Sequence, residues 1–114
     1  MVERRRLKRR YLAFFTRVSD CKTGQLIGNL DNVSPDGAML IGKHPILPDV
    51  DFQLRMDLSE HFFGKEHLLF KARSVWCQPD LDPSFYNIGF KFLEIAHEDI
   101  KIIEQIMAEY GIHD

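Results

Sequence analysis

The chain has 114 residues, of which 45% are hydrophobic and 28% are charged, and its formal net charge at pH 7 is −2. These values are those of one soluble globular domain that is long enough to bury a hydrophobic core. We expect no membrane-spanning helix, because no run of about 18 apolar residues is present. The charged N-terminus lacks the apolar segment of a secretory signal, so we expect a cytoplasmic protein.

The charge is distributed unevenly along the chain. Residues 1–17 contain seven basic groups and one acidic group, a net charge of +6. Residues 18–114 contain eight basic and sixteen acidic groups, a net charge of −8. A cationic arm on an acidic body attracts a small anion, whereas the body repels a long polyanion. We therefore expect no long nucleic acid among the partners.

No pattern of catalytic or metal-binding residues is present. The two cysteines, Cys21 and Cys77, form no Cys-x-x-Cys pair, and the histidines are not spaced as metal ligands. In a cytosolic chain such cysteines are expected to be reduced and structural. Ser34 has no nearby His and Asp that would activate it as a nucleophile. We predict no enzymatic activity, no metal and no cofactor.

In chain order, residues 1–10 are predicted to form a flexible basic arm, and residues 11–114 a single β-rich domain. Alternation of apolar and polar residues predicts about six antiparallel strands. They cover residues 12–18, 25–33, 38–41, 52–58, 68–76 and 86–93. Turns are predicted at Asp20–Gly24 and at Ser34–Gly37, where Pro35 fixes its own φ and Gly37 tolerates a positive φ. Strands of this spacing with proline-bearing loops are typical of a barrel or a sandwich.

The C-terminal segment has a different periodicity, which predicts an amphipathic helix. Glu98 and Asp99 are placed where a helix N-terminus favours negative charge. An apolar stripe follows at helical spacing, and Gly111 is a natural stop. The stripe consists of Ile100, Ile102, Ile103, Ile106, Met107 and Tyr110.

Two motifs near the N-terminus indicate a binding site. An arginine-rich segment, residues 4–10, contains Arg-x-x-x-Arg in two registers, Arg5 with Arg9 or Arg6 with Arg10. We prefer Arg5 and Arg9, because offsets of three to nine from Arg9 then reach the inward face of the first strand (Leu12, Phe14, Thr16 and Val18). Guanidinium groups match phosphates and the O6/N7 edge of guanine by bidentate hydrogen bonds.

The second motif is Asn32-Val33-Ser34-Pro35-Asp36-Gly37, of the form Asn-x-Ser-x-x-Gly. With the arginine motif before it, and with residues 72–76 and 89–92 as later strands, the sequence resembles the PilZ domain family of bacterial cyclic di-GMP receptors. The resemblance implies a six-stranded antiparallel β-barrel with a C-terminal α-helix. It also implies that the arm wraps one ligand molecule or an intercalated pair against the barrel.

The resemblance further assigns roles to residues. Arg5 and Arg9 would contact phosphates and guanines with Arg4 as an extra basic group, and Arg6 and Arg10 belong to the alternative register. Asn32 and Ser34 would bind a guanine edge, Gly37 would permit the close approach, and Trp76, a core or rim residue, would add an aromatic surface. Ordering of the arm on binding would then change a contact with an effector protein that the sequence does not identify.

Two other functions remain open from the sequence. The first is a PilZ-like adaptor without ligand affinity, which acts only through protein contacts; the intact motifs argue against it. The second is a small nucleic-acid-binding barrel, which would interleave aromatic and basic residues over a sheet face; here the basic groups are concentrated at one end. We expect a monomer or a weak homodimer.

Overall fold

The computed structural model describes residues 16–58 and 64–110. Within these ranges there are six strands and one helix. They are β1 Arg17–Asp20, β2 Leu26–Ser34, β3 Gly37–Gly42, β4 Asp51–Asp57, β5 His67–Pro79, β6 Tyr86–Glu94 and α1 His97–Tyr110. All neighbouring strands are antiparallel, and they close into a barrel in the order β1-β2-β3-β6-β5-β4. This confirms the predicted six-stranded antiparallel barrel with a C-terminal helix.

The barrel interior holds one hydrophobic core, filled by alternate residues of the strands. In β4 the buried side chains are Leu54 and Met56, and the intervening Arg55 is exposed. Two edge-to-face aromatic pairs, Phe52 with Phe90 and Phe70 with Phe92, have centroid separations of 5.7 and 5.1 Å. Such pairs add to the stabilisation from apolar burial. The alternation predicted for residues 52–58 is therefore confirmed in β4.

The burial pattern of the first strand agrees with its predicted inward face. Thr16 and Val18 are buried whereas Arg17 is exposed, as the inward face chosen for this strand requires. Leu12 and Phe14, the other residues of that face, lie outside the described residues, as do the arm and Gly111. The Arg5 and Arg9 register stays a prediction.

The end of β5 differs from the prediction. Residues 78–84 were expected to form a loop, but β5 continues through Gln78 to Pro79, which pairs with Tyr86 at the start of β6. A proline is tolerated there because it occupies the last position of the strand. The connection between β5 and β6 is therefore shorter than the proline pattern indicated.

Helix α1 packs its isoleucines against the barrel, as predicted. Ile102, Ile103 and Ile106 are buried, and the helix contacts β2. Asp99, in the first turn, is also buried, and its carboxylate accepts a hydrogen bond of 2.7 Å from Lys65 Nζ. The helix N-terminus is thereby tied to the segment before β5. Among the helices of the described residues, none has the length and apolar character needed to cross a membrane.

Candidate functional site

A groove of about 1020 Å³ lies on the outer surface of the barrel, where the β2–β3 turn meets β5 and β6. The turn supplies one wall, and the exposed side of β5 and β6 supplies the other. The lining residues are 32–39, Val75, Trp76 and 89–95. The groove therefore gathers the predicted binding turn and the predicted aromatic residue, which are separated by more than 35 positions in the chain.

The Asn32–Gly37 turn is held in shape by local hydrogen bonds. The Val33 amide donates to Asn32 Oδ1 at 2.9 Å, and the Asp36 amide donates to Ser34 Oγ at 3.3 Å. The Asp36 carbonyl accepts a hydrogen bond of 2.9 Å from the amide of Phe92 on β6. The turn is thus anchored to the neighbouring strand.

Gly37 is required for close approach and not for a positive φ. Its sequence position allowed a positive φ, but the described residues with positive φ are Asp49, Gly24 and Gly64. Instead, a Cβ on Gly37 would meet the carbonyl oxygen of Phe90. The glycine permits β3 and β6 to approach closely at the edge of the groove.

A β-bulge in β2 turns Asn32 and Ser34 toward the groove. Leu30 is buried and pairs with Leu40, but the next pair is Asn32 with Met39, so Asp31 is the extra residue. Strict alternation from Leu30 would send Asn32 and Ser34 into the core. Because of the bulge, Val33 is buried instead, and the two polar side chains are half-buried on the outer face.

A second bulge, in β5, turns Trp76 toward the groove. Ser74 is buried and pairs with Phe90, whereas the next pair is Trp76 with Gly89, which makes Val75 the extra residue. Trp76 is consequently on the surface, 38% exposed, at the rim of the groove. Its indole ring covers Gly89, since a Cβ on this glycine would collide with the ring.

Cross-strand pairing arranges the groove in two rows of residues on the same face. One, the Trp76 row, runs Asn32, Met39, Gly89, Trp76. The other, the Lys91 row, runs Ser34, Gly37, Lys91, Arg73, Asp51. Directly opposite residues of antiparallel strands share a face and contact one another. An aromatic surface therefore lies next to a polar, charged strip, which suits a ligand with both bases and phosphates.

Sequence reasoning did not single out Lys91, although it lies inside the strand segment quoted as residues 89–92. It is exposed and lines the groove beside Gly37. The neighbouring Arg73 is engaged by Asp51, with Nε to Oδ1 at 2.6 Å. This hydrogen bond, more than the charge of Arg73, holds the pKa of Asp51 below its usual value. The alternation around Phe90 would have indicated that Lys91 points outward.

The remaining site predictions have different outcomes. Asn32, Ser34, Gly37 and Trp76 are brought together at the groove. The predicted arginines (Arg4, Arg5, Arg6, Arg9 and Arg10) lie outside the described residues. Within residues 16–58 and 64–110, no group of three His, Cys, Asp or Glu side chains is arranged to hold a metal ion. Cys21 and Cys77 are free thiols.

The family model for the PilZ domain matches residues 3–109. No curated protein is similar enough in sequence to count as a relative. Three solved structures share the fold: the Bacillus subtilis inhibitor of motility MotI (13% identity, TM-score 0.66), K. pneumonia MrkH in its apo state (18%, 0.63), and the PilZ domain of Escherichia coli YcgR with c-di-GMP (12%, 0.62).

Each of these matches covers 85% of the present chain. The match covers 46% of the MotI and MrkH chains and 81% of the YcgR chain, so the chain spans less than half the length of the first two. A second MrkH structure, a complex with c-di-GMP, also matches, at 18% identity over 83% of this chain and 45% of that one, with a TM-score of 0.62. Since the family model extends over nearly the whole sequence, this chain belongs to the PilZ domain family.

Proposed function

We propose that this domain is a cyclic di-GMP receptor that binds its ligand in the groove between the Asn32–Gly37 turn and Trp76. The observation that carries the proposal is the meeting of the motif's polar side chains and an exposed indole in one groove. The PilZ domain of YcgR and MrkH have structures with c-di-GMP. Membership of the same family makes this ligand the best candidate.

The groove provides a separate contact for each part of such a ligand. Asn32 and Ser34 would hydrogen-bond a guanine edge, since their side chains are turned outward by the β2 bulge. Gly37 lets β3 and β6 approach closely at the edge of the groove. The indole of Trp76 offers a flat apolar surface on which a base can stack, an interaction worth about 1–3 kcal/mol.

The basic arm would complete the site. Arg5 and Arg9, with Arg4 before them, would contact phosphates and guanine edges; in the alternative register Arg6 and Arg10 take these roles. Fixing the backbone of each arm residue costs about 1–2 kcal/mol. Charge-assisted hydrogen bonds contribute about 1.5–3 kcal/mol each, so several must form together. Binding would thus order the arm around the ligand.

The output of binding would be a changed contact with an effector protein rather than a reaction. The arm, once ordered, would cover or expose a surface that the effector recognises. The described residues that line the groove include the carboxylates Asp36 and Glu94, which disfavour a long polyanion there. We therefore propose a receptor without catalysis, and keep the ligand-free adaptor as the alternative.

Calorimetric titration of cyclic di-GMP into the purified chain tests the proposal, with GTP and cyclic di-AMP as control nucleotides. Saturable, selective binding is expected. Ser34→Ala should weaken it, whereas Ser84→Ala, on the exposed β5–β6 connection, should not. Absence of binding by the folded wild-type chain would overturn the receptor function and leave the adaptor.

A further inference from the structure

Lys91 differs from the other cations on the described part of the barrel in its position. It is the only lysine or arginine among the described residues that line the groove, which also include Asp36 and Glu94. Glu94 is engaged by Lys71, with Nζ to Oε1 at 3.2 Å. No ion pair links Lys91 to a carboxylate within residues 16–58 and 64–110.

The position of Lys91 next to Arg73 adds an excess positive charge. The two residues are directly opposite on β5 and β6, an arrangement that is unfavourable for like charges. Asp51 neutralises Arg73 through hydrogen bonds of 2.6 and 3.2 Å from Nε and Nη2. Asp51 is thus engaged by Arg73, and none of the ion pairs of the described residues includes Lys91.

Gly37 separates Ser34 from Lys91 in the Lys91 row and pairs with both. The glycine lets β3 and β6 approach closely, because a Cβ there would meet the backbone of Phe90. With neighbouring strands about 4.8 Å apart, Ser34 and Lys91 are therefore about 10 Å apart on the groove surface. A phosphate between them would lie near a hydroxyl and an ammonium group, both of which can donate hydrogen bonds.

We propose that Lys91 is the barrel's own phosphate-binding residue and holds one phosphate of the ligand above Gly37. This inference rests on the proposed function, since it specifies how the same groove holds a dianionic cyclic dinucleotide. Lysine suits the role because it binds phosphate as a point charge and tolerates several geometries. The phosphate would act as the counter-ion of Lys91, as Asp51 does for Arg73. It would thereby reduce the repulsion between Lys91 and Arg73 across β5 and β6.

The test is calorimetric titration of cyclic di-GMP into the full chain with Lys91→Met, Lys91→Arg and Lys101→Met. Lys101 is exposed on α1 and does not line the groove, so it is the matched control. Lys91→Met should weaken binding about tenfold, which corresponds to one charge-assisted hydrogen bond. The affinity of the Lys91→Met variant for cyclic di-GMP should also depend less on ionic strength, because one charge pair is lost. Lys91→Arg should keep most of the affinity.

The outcomes separate this inference from the proposed function. Wild-type binding with equal affinity in Lys91→Met would overturn the role of Lys91 and leave the receptor intact. A weakened variant with an unchanged salt dependence would overturn the phosphate contact. Absence of wild-type binding would overturn both. Thermal unfolding tests whether Lys91→Met has a general folding defect. The variant should be no less stable than the wild type, because it loses the repulsion between Lys91 and Arg73.

Discussion

The indole ring of Trp76 covers the backbone of Gly89, its directly paired neighbour on the adjacent strand. The glycine is what allows the ring to lie flat along the barrel surface, because a Cβ at this position would occupy the space of the ring. The orientation of the aromatic surface in the groove thus depends on a residue that makes no side-chain contact of its own.

Gly89→Ala should therefore displace the indole and weaken cyclic di-GMP binding. We expect a loss of several-fold in affinity, together with a destabilisation of about 1 kcal/mol from overpacking at a partly exposed site. Urea denaturation and calorimetric titration measure the two effects. In a Trp76→Ala background the same glycine substitution should have little further effect on binding. Equal losses in both backgrounds would contradict the proposed coupling of the two residues.

Gly37→Ala should lower stability as well as binding, whereas Ser34→Ala should chiefly lower binding. A Cβ on Gly37 meets backbone of β6, which cannot move aside as a side chain can. We expect Gly37→Ala to cost about 1–3 kcal/mol in the free energy of unfolding. Ser34→Ala removes only one exposed hydrogen bond of 3.3 Å within the turn, worth about 1 kcal/mol or less. Similar unfolding midpoints for Gly37→Ala and wild type would disprove the close-approach explanation.

Asp36→Asn should strengthen cyclic di-GMP binding. The Asp36 side chain is exposed in the turn, lines the groove, and makes no ion pair within the described residues. Its carboxylate repels a dianionic ligand, so its removal should increase affinity about two- to fivefold at low ionic strength, with a smaller gain at high salt. Glu104→Gln, on the exposed side of α1, serves as the control for overall charge. A weaker complex with Asp36→Asn would show that the carboxylate contacts the ligand favourably.

The Lys65–Asp99 ion pair should make a pH-dependent contribution to stability. The hydrogen bond to Asp99 is the main cause that raises the pKa of Lys65 above its ordinary value of 10.5, and the charges of Asp99 and Glu98 add to it. A pKa that is raised on folding stabilises the fold below the unfolded value, and the stabilisation is lost as the pH rises through the folded value. Lys65→Met should therefore be less stable than wild type at neutral pH.

The difference between wild type and Lys65→Met should shrink as the pH is raised above 10.5. Urea denaturation of both proteins over this range measures it, and Lys101→Met controls for the loss of a lysine on the protein surface. A difference that stays constant through the alkaline range would contradict a role for the Lys65 charge.

Alternation and helical periodicity were sufficient to predict the strands and the helix, because both follow directly from burial. They left a barrel and a sandwich open, and the resemblance to the PilZ family selected the barrel. The sequence did not predict the bulges that shape the groove, at Asp31 in β2 and at Val75 in β5. Each inserts one residue and so reverses which side chains face outward. Strict alternation from Leu30 and Ser74 would have placed Asn32 and Trp76 in the core, although both line the groove.

The resemblance to the PilZ family identified the binding residues of the turn, which strict alternation places in the core. It did not identify Lys91. The Asn-x-Ser-x-x-Gly motif marked Asn32 and Ser34 without knowledge of the bulge. Lys91 belongs to no motif of this kind, and its importance follows from its strand partners, Gly37 and Arg73. Pairing between β3, β5 and β6 is long-range, so a single sequence does not define it.

Fluorescence of Trp76 during a titration with cyclic di-GMP tests most directly whether the ligand occupies this groove. The chain has one tryptophan, so its emission reports on this site. The account predicts a saturable change in intensity with cyclic di-GMP, with the same midpoint as calorimetric titration, and no such change with cyclic di-AMP. An unchanged emission spectrum at ligand concentrations that saturate the protein by calorimetry would contradict binding against Trp76.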